Sequence, residues 1–243
     1  MPHLFCRRKH SVTAWWRQVV MANLVAAMLA ALLPSHAFAH KRNFVWQYGA
    51  ATAFRGEREY EPWLTWNAKT DEGEHLTEFE FGITERWTLS PYLIARKEQG
   101  RGWHLQGWKL ANRFAFNRFR NNRWLGGAYL EVIRDGGEWE LETKLLLSRY
   151  GNGRVWNFDL TAERELGGGH EWELEPHLGY SQRLSRSLWL GWEAFGNLHD
   201  HRYWLGPTVV LDAHYRTRLL LGVAFGLNRG ADTQLRFIGG FEF

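Results

Sequence analysis

From Glu57 to the last residue, apolar and polar side chains alternate with a period of two, in segments of about ten residues separated by short polar or glycine-bearing breaks. The alternation predicts twelve strands, over 57–67, 75–83, 86–96, 103–115, 123–133, 138–148, 154–164, 170–181, 187–197, 203–212, 216–226 and 232–243. Segments of this length suit tilted strands that cross a bilayer. The two faces differ in chemistry. In 75–83, Thr77, Phe79, Phe81 and Ile83 stand against Glu78 and Glu80. In 170–181, Trp172, Leu174, Pro176, Leu178 and Tyr180 stand against Glu171, Glu173, Glu175 and His177.

A soluble β-sandwich also alternates, but three features favour a membrane barrel. Large aromatics (Trp66, Trp87, Trp103, Trp124, Trp139, Trp156, Trp172, Tyr203) mark the ends of the apolar faces, as interfacial girdles do. The chain stops on Gly240-Phe241-Glu242-Phe243, an aromatic last strand that resembles the assembly signal of outer-membrane barrels. The strand number is even, so the sheet closes and no unpaired edge meets lipid. The expected fold is all-β, a transmembrane antiparallel up-and-down β-barrel of about 12 strands. With the last strand running inward, the breaks near 68–74, 97–102, 134–137, 165–169, 198–202 and 227–231 face outside, and those near 84–85, 116–122, 149–153, 182–186 and 213–215 face the periplasm. None is long enough to fold inward as a plug.

The N-terminus adds a compartment. Basic Arg7, Arg8, Lys9 and Arg17 precede or flank an apolar run from Val19 to Leu33, then Pro34 and the small-residue site Ala37-Phe38-Ala39. That is the form of a cleaved secretory signal, and it places the mature chain in a bacterial outer membrane. Residues 1–39 are the signal peptide, 40–56 an N-terminal periplasmic segment that either stays outside as a tail or enters the barrel, and 57–243 the barrel. The signal holds four of the 30 Lys and Arg and none of the 26 Asp and Glu, so 26 basic residues face 26 acidic ones in the mature chain. The basic pI therefore carries no argument for nucleic-acid binding. Cys6 leaves with the signal, so the mature chain has no thiol.

If the apolar faces meet lipid, the opposite faces line a lumen. The candidates are Glu78, Glu80, Arg86, Arg96, Lys109, Arg113, Glu140, Glu142, Lys144, Glu171, Glu173, Glu175, Glu193, Arg218 and Arg236, with acidic and basic walls on different arcs facing one another across the cylinder. Inward Trp63, Tyr92, Tyr129, Trp189, Phe195 and Trp204 narrow it. Twelve strands lie between barrels filled by side chains and open porins. Such a barrel suits a narrow channel for small polar or charged solutes. The alternatives are a non-conducting structural or adhesive barrel in which the charges pair, and an outer-membrane acyl hydrolase.

No catalytic residue is assigned. His75, His104, His170, His199 and His201 gather near the outer end but read as solvated loop residues and not as a metal site. Asp212 and His214 lack a second acidic pair for a protease, and Ser148, Ser181, Ser185 and Ser187 lack a histidine at a recognisable spacing. No metal or cofactor is expected. The expected partners are outer-membrane lipid, lipopolysaccharide and the barrel assembly machinery, with no nucleic acid and the oligomeric state open.

The run Gly56-Glu57-Arg58-Glu59, Glu61-Pro62-Trp63-Leu64-Thr65-Trp66 and Phe79-Glu80-Phe81-Gly82-Ile83-Thr84-Glu85-Arg86-Trp87 resembles the opening hairpins of outer-membrane barrels grouped with the meta-pathway phenol-degradation family and its uncharacterised relatives. Tyr129-Leu130-Glu131, Leu190-Gly191-Trp192-Glu193 and Leu205-Gly206-Pro207-Thr208 extend the likeness. The resemblance implies a barrel suspected of transport, with no catalytic residues to carry over. The family's name suggests aromatic hydrocarbon solutes, whereas this interior face is charged. Intact-mass measurement of the protein extracted from outer membranes is expected to read a chain beginning near His40; a chain retaining the apolar run would contradict the cleaved signal.

Overall fold

The computed structural model describes residues 42–67, 69–167, 171–214 and 216–243, so the export signal and His170 lie outside the described residues, as does the side chain of His214. The described chain folds into twelve antiparallel strands: β1 (Arg58–Asn67), β2 (Glu72–Thr84), β3 (Trp87–Lys97), β4 (Trp103–Ala115), β5 (Trp124–Asp135), β6 (Glu138–Gly151), β7 (Arg154–Leu166), β8 (Glu173–Arg183), β9 (Leu188–Asn197), β10 (Arg202–His214), β11 (Thr217–Gly226) and β12 (Gln234–Glu242). Each pairs with its sequence neighbours, and β1 pairs with β12 from Glu59 opposite Glu242 to Asn67 opposite Gln234. The sheet is a closed barrel. Closure leaves no open edge, the condition that a sheet surrounded by lipid must meet.

Register is pinned by the turns. The β5–β6 turn is Gly136-Gly137 (φ 56° and 102°) and the β6–β7 turn is Asn152-Gly153 (φ 54° and 68°). Two successive positive φ angles make the tight hairpin that matches strand twist, and glycine or asparagine adopts them at least cost. These turns hold the longest ladders in place, with Glu131 opposite Glu142 and Glu142 opposite Glu163.

The outer face is apolar and exposed. Leu105 is 69% and Leu145 60% solvent-accessible, joined by Leu93, Leu110, Leu130, Phe158, Leu178, Leu190, Leu221 and Phe237. A continuous surface of this kind is costly in water and favourable in hydrocarbon. Trp124 and Trp156 flank the belt near one end and Trp139, Trp172 and Tyr203 near the other, and Trp108 meets Trp139 edge-on with ring centroids 5.6 Å apart. Five of the eight aromatics predicted for the girdles are thus exposed, Trp66 and Trp87 are half-buried, and Trp103 is buried beside Gly73.

Leu145 lies near mid-strand on the outer face, so Leu145→Arg is expected to destabilise the barrel by about 2–4 kcal/mol. Reversible urea unfolding in lipid vesicles reads this; an unchanged midpoint would show that Leu145 does not face hydrocarbon.

Candidate functional site: the barrel lumen

Inward positions follow the strand parity. Of the predicted lumen residues, Glu78, Glu80, Arg96, Lys109, Arg113, Glu140, Glu142, Lys144, Glu173, Glu175, Glu193, Arg218 and Arg236 occupy inward positions of their strands, alternating with lipid-facing neighbours. Two do not. Arg86 is exposed in the turn before β3, and Glu171 is exposed ahead of β8, because these strands begin at Trp87 and Glu173 rather than at 86 and 170.

The expected opposition of an acidic arc and a basic arc is also replaced. Charges pair along the wall, between adjacent strands or across a single intervening one. Arg113 of β4 binds Glu80 of β2 in a buried pair. Lys109 lies 3.2 Å from Glu131, Arg96 3.3 Å from Glu74 and 2.5 Å from Asp135, and Arg218 3.1 Å from Asp212. The reason is desolvation: a buried charge needs a partner within contact distance, and one across the cylinder is too far to supply it. Glu59, Glu61, Glu131, Asp135 and Asp212 are inward residues that the sequence reading omitted, although extending the same parity into β1, β5 and β10 identifies them.

The lumen is not empty. Residues 40–56 are expected either to stay outside as a periplasmic tail or to enter the barrel; the described part, from Arg42, lies inside it, and wall side chains bond its backbone amides. Val45 and Trp46 N–H donate to the two carboxylate oxygens of Glu193 at 2.7 and 2.8 Å. Tyr48 N–H donates to Asp159 at 3.2 Å, Ala50 N–H to Ser148 Oγ at 2.8 Å and Ala53 N–H to Thr88 Oγ1 at 2.8 Å. Asn157 Nδ2 donates to Gln47 Oε1 and to the Tyr48 carbonyl, both at 2.8 Å. These bonds answer the question that any irregular segment at membrane depth raises, where its backbone polar groups find partners.

Wall glycines make the room. A methyl group at Gly179 would overlap Gln47 and come within 2.6 Å of the Phe44 ring; one at Gly222 would stand 2.9 Å from Val45 and 3.0 Å from Trp46 Nε1.

Aromatic and guanidinium groups close the middle of the lumen. The Arg42 guanidinium lies 4.5 Å from the centre of the Tyr48 ring and 4.3 Å from that of Trp63, and its Nε is 3.1 Å from Glu61. Arg236 stands over Trp46 at 4.3 Å. Tyr48 packs on Tyr129 at 4.8 Å, Trp46 on Phe195 at 5.4 Å, and Phe195 on Trp204 at 5.2 Å. Of the inward aromatics expected to narrow the lumen, Trp63, Tyr92, Tyr129, Phe195 and Trp204 thus join the N-terminal segment in a septum, whereas Trp189 lies toward the end where that segment enters.

Beyond the septum, toward the end carrying the β5–β6 turn, carboxylates dominate. Glu131, Glu142, Glu163 and Glu173 stand opposite one another in successive ladders across β5, β6, β7 and β8. Lys144 is 3.1 Å from Glu142, and Asn197 donates to Glu173 and Glu175 at 2.6 and 3.0 Å. Among the described residues no group of three potential ligands assembles for a metal ion. His75 bonds the Trp63 carbonyl, His104 bonds Gln106, and Ser148 is engaged with Ala50 and Asn157.

No family model and no curated protein matches the sequence. Solved structures do match. An outer-membrane channel from Pseudomonas putida F1 superposes with a TM-score of 0.61 at 11% identity, over 82% of this chain and 100% of that one. The KdgM porin gives 0.60 at 7% identity, over 76% of this chain and 99% of that one. The NanC porin gives 0.55 at 8% identity, over 76% and 98%. This protein therefore has the fold of outer-membrane β-barrels.

Glu193 serves two buried amides and the Thr208 hydroxyl. Glu193→Ala orphans donors at about 1–3 kcal/mol each. In an Ala50→Cys background, where Ala50 is fully buried, the substitution is expected to raise the thiol-labelling rate about tenfold or more. An unchanged rate would mean that Glu193 does not hold the segment.

Proposed function

We propose that this protein is a channel of the bacterial outer membrane for small polar or charged solutes, closed in the observed state by its own N-terminal segment. The observation that carries the reading is the carboxylate wall of β5–β8, which leads from one mouth to a septum made partly by a segment outside the barrel's strands. Rings and walls of charge select permeant ions, and an excess of carboxylates favours cations or cationic solutes. The segment is bonded largely through wall side chains, so it can shift without breaking a strand pairing. Outer-membrane lipid and lipopolysaccharide would surround the apolar belt, and the barrel assembly machinery would insert it.

The hairpin motifs around Glu61-Pro62-Trp63 and Phe79-Glu80-Phe81 support grouping the chain with the meta-pathway phenol-degradation barrels. Its charged wall argues for a polar solute in place of an aromatic hydrocarbon. One solved relative in fold is the KdgM porin in complex with oligogalacturonate, a polymer of acidic sugars; the carboxylate wall here argues for the opposite charge preference.

A second reading, a non-conducting structural barrel, is favoured by the packed septum alone. Planar-bilayer recording of the refolded mature protein separates the two. The channel reading expects discrete cation-selective steps, larger and longer-lived after deletion of residues 42–53, with reversal potentials shifted toward anions by combined Glu142→Gln, Glu163→Gln and Glu173→Gln. Silence of both the full and the shortened barrel, each correctly folded, would sink it.

A further inference from the structure

At the end of the barrel where the N-terminal segment enters, a cavity of about 400 Å³ lies between that segment and the inner wall. This is within the size range of small-molecule sites, roughly 300–1,000 Å³. It is distinct from the carboxylate mouth, which lies on the other side of the septum. Phe54, Phe119, Leu125 and Val155 supply an apolar lining, and Arg154, Arg183 and Arg218 supply its cations, with Glu85 as the acid at the edge.

The cations are positioned. Arg183 donates to the Ser185 carbonyl at 3.0 Å and the Arg186 carbonyl at 3.3 Å, and its guanidinium lies 5.9 Å from the centre of the Trp189 ring. The Arg218 guanidinium lies 5.8 Å from the same ring and donates to Asn43 of the N-terminal segment at 3.2 Å. Asp212 holds the group together, 3.1 Å from Arg218 and accepting from Trp189 Nε1 at 3.2 Å. Asp212, with Glu59 and Glu61 nearby, stands against Arg218. The neighbouring turns add Arg118, Arg120, Arg123 and Arg186, so the field at this end is positive.

We propose that this cavity is a binding site for a small organic anion, a carboxylate carried on an apolar body of about one ring. The carboxylate would meet Arg154 and Arg183, which present guanidinium donors suited to it, and the body would lie against Phe54, Phe119 and Leu125. Because Asn43, Ala51, Thr52 and Phe54 of the N-terminal segment form one side of the cavity, the bound anion ties that segment to the wall. The assignment rests on the cavity and stands or falls independently of conduction.

The test uses the refolded mature protein in lipid nanodiscs and benzoate as the probe, followed by calorimetry and tryptophan fluorescence. Benzyl alcohol carries the ring without the charge, and acetate the charge without the ring. Saturable benzoate binding is expected, with both controls at least tenfold weaker. The exposed pair Arg154→Gln and Arg183→Gln together should weaken benzoate at least tenfold while heat-dependent gel mobility still reports a folded barrel. Leu125→Trp, which fills the cavity and leaves every charge in place, should also abolish binding. Benzyl alcohol binding as well as benzoate would reduce the site to apolar partition, and acetate binding as well would reduce it to a general basic surface. Undiminished affinity in the arginine variant, or no saturable binding at all, would overturn the proposal.

Discussion

Charge enclosed in a sheet that is itself enclosed by lipid must be matched from inside, and most of this molecule follows from that constraint. The outer face offers the wall little charge, because mainly Leu, Phe and Trp occupy it. The inward ion pairs therefore form along the wall, on an adjacent strand or the next but one, and with the N-terminal segment. Burial of an unpaired ion costs several kcal/mol, and a contact pair offsets it only with good geometry. Pairs such as Lys109–Glu131 and Arg218–Asp212, 3.2 and 3.1 Å apart, meet that requirement locally. A field across the lumen would have left both walls unsatisfied.

The N-terminal segment is the complement of the wall's unmatched groups. Arg42 enters among Glu61 and Glu78, 3.1 and 3.5 Å away, and brings a cation to carboxylates that stand beside the Arg113–Glu80 pair. Glu193, buried at mid-wall, is matched by backbone N–H groups and a threonine hydroxyl rather than by Lys or Arg. An irregular backbone and a buried carboxylate thus solve each other's problem: the amides need acceptors and the carboxylate needs donors. Gly179 and Gly222 show that the wall is shaped to the segment as well as charged for it.

Strand number, parity and most boundaries were legible in the chain, because a two-residue period with lipid on one side admits little else. β4 runs from Trp103 to Ala115 as the alternation predicts. Arg86 and Glu171 fall outside the lumen because a side chain's parity is readable from sequence whereas the first paired residue of a strand is not. The opposed charge walls misled because β2 and β3 and β4 are neighbours: residues assigned to different walls by strand number were already close enough to pair. The path of residues 42–56 left no periodic signal. Arg42-Asn43-Phe44-Val45-Trp46-Gln47-Tyr48 mixes apolar and polar side chains without a strand or helix period, as a segment does when its surroundings are side chains on every side and its backbone partners are Glu193, Asp159, Ser148 and Thr88.

A closed lumen and a channel are compatible on energetic grounds. Each amide bond from the segment to the wall is exchanged on release for bonds to the water that fills the lumen, so its net contribution is about 0.5–1.5 kcal/mol and not its full strength. The guanidinium–aromatic contacts of Arg42 and Arg236 add about 0.5–2 kcal/mol each where desolvated. No strand pairing is among the losses, since Gly56 is where the segment first joins the sheet, through its bond to the Gly82 carbonyl. Release is therefore a local equilibrium separate from unfolding of the barrel. The residues that set it are those that touch the segment, and among them Glu193 serves two of its amides at once.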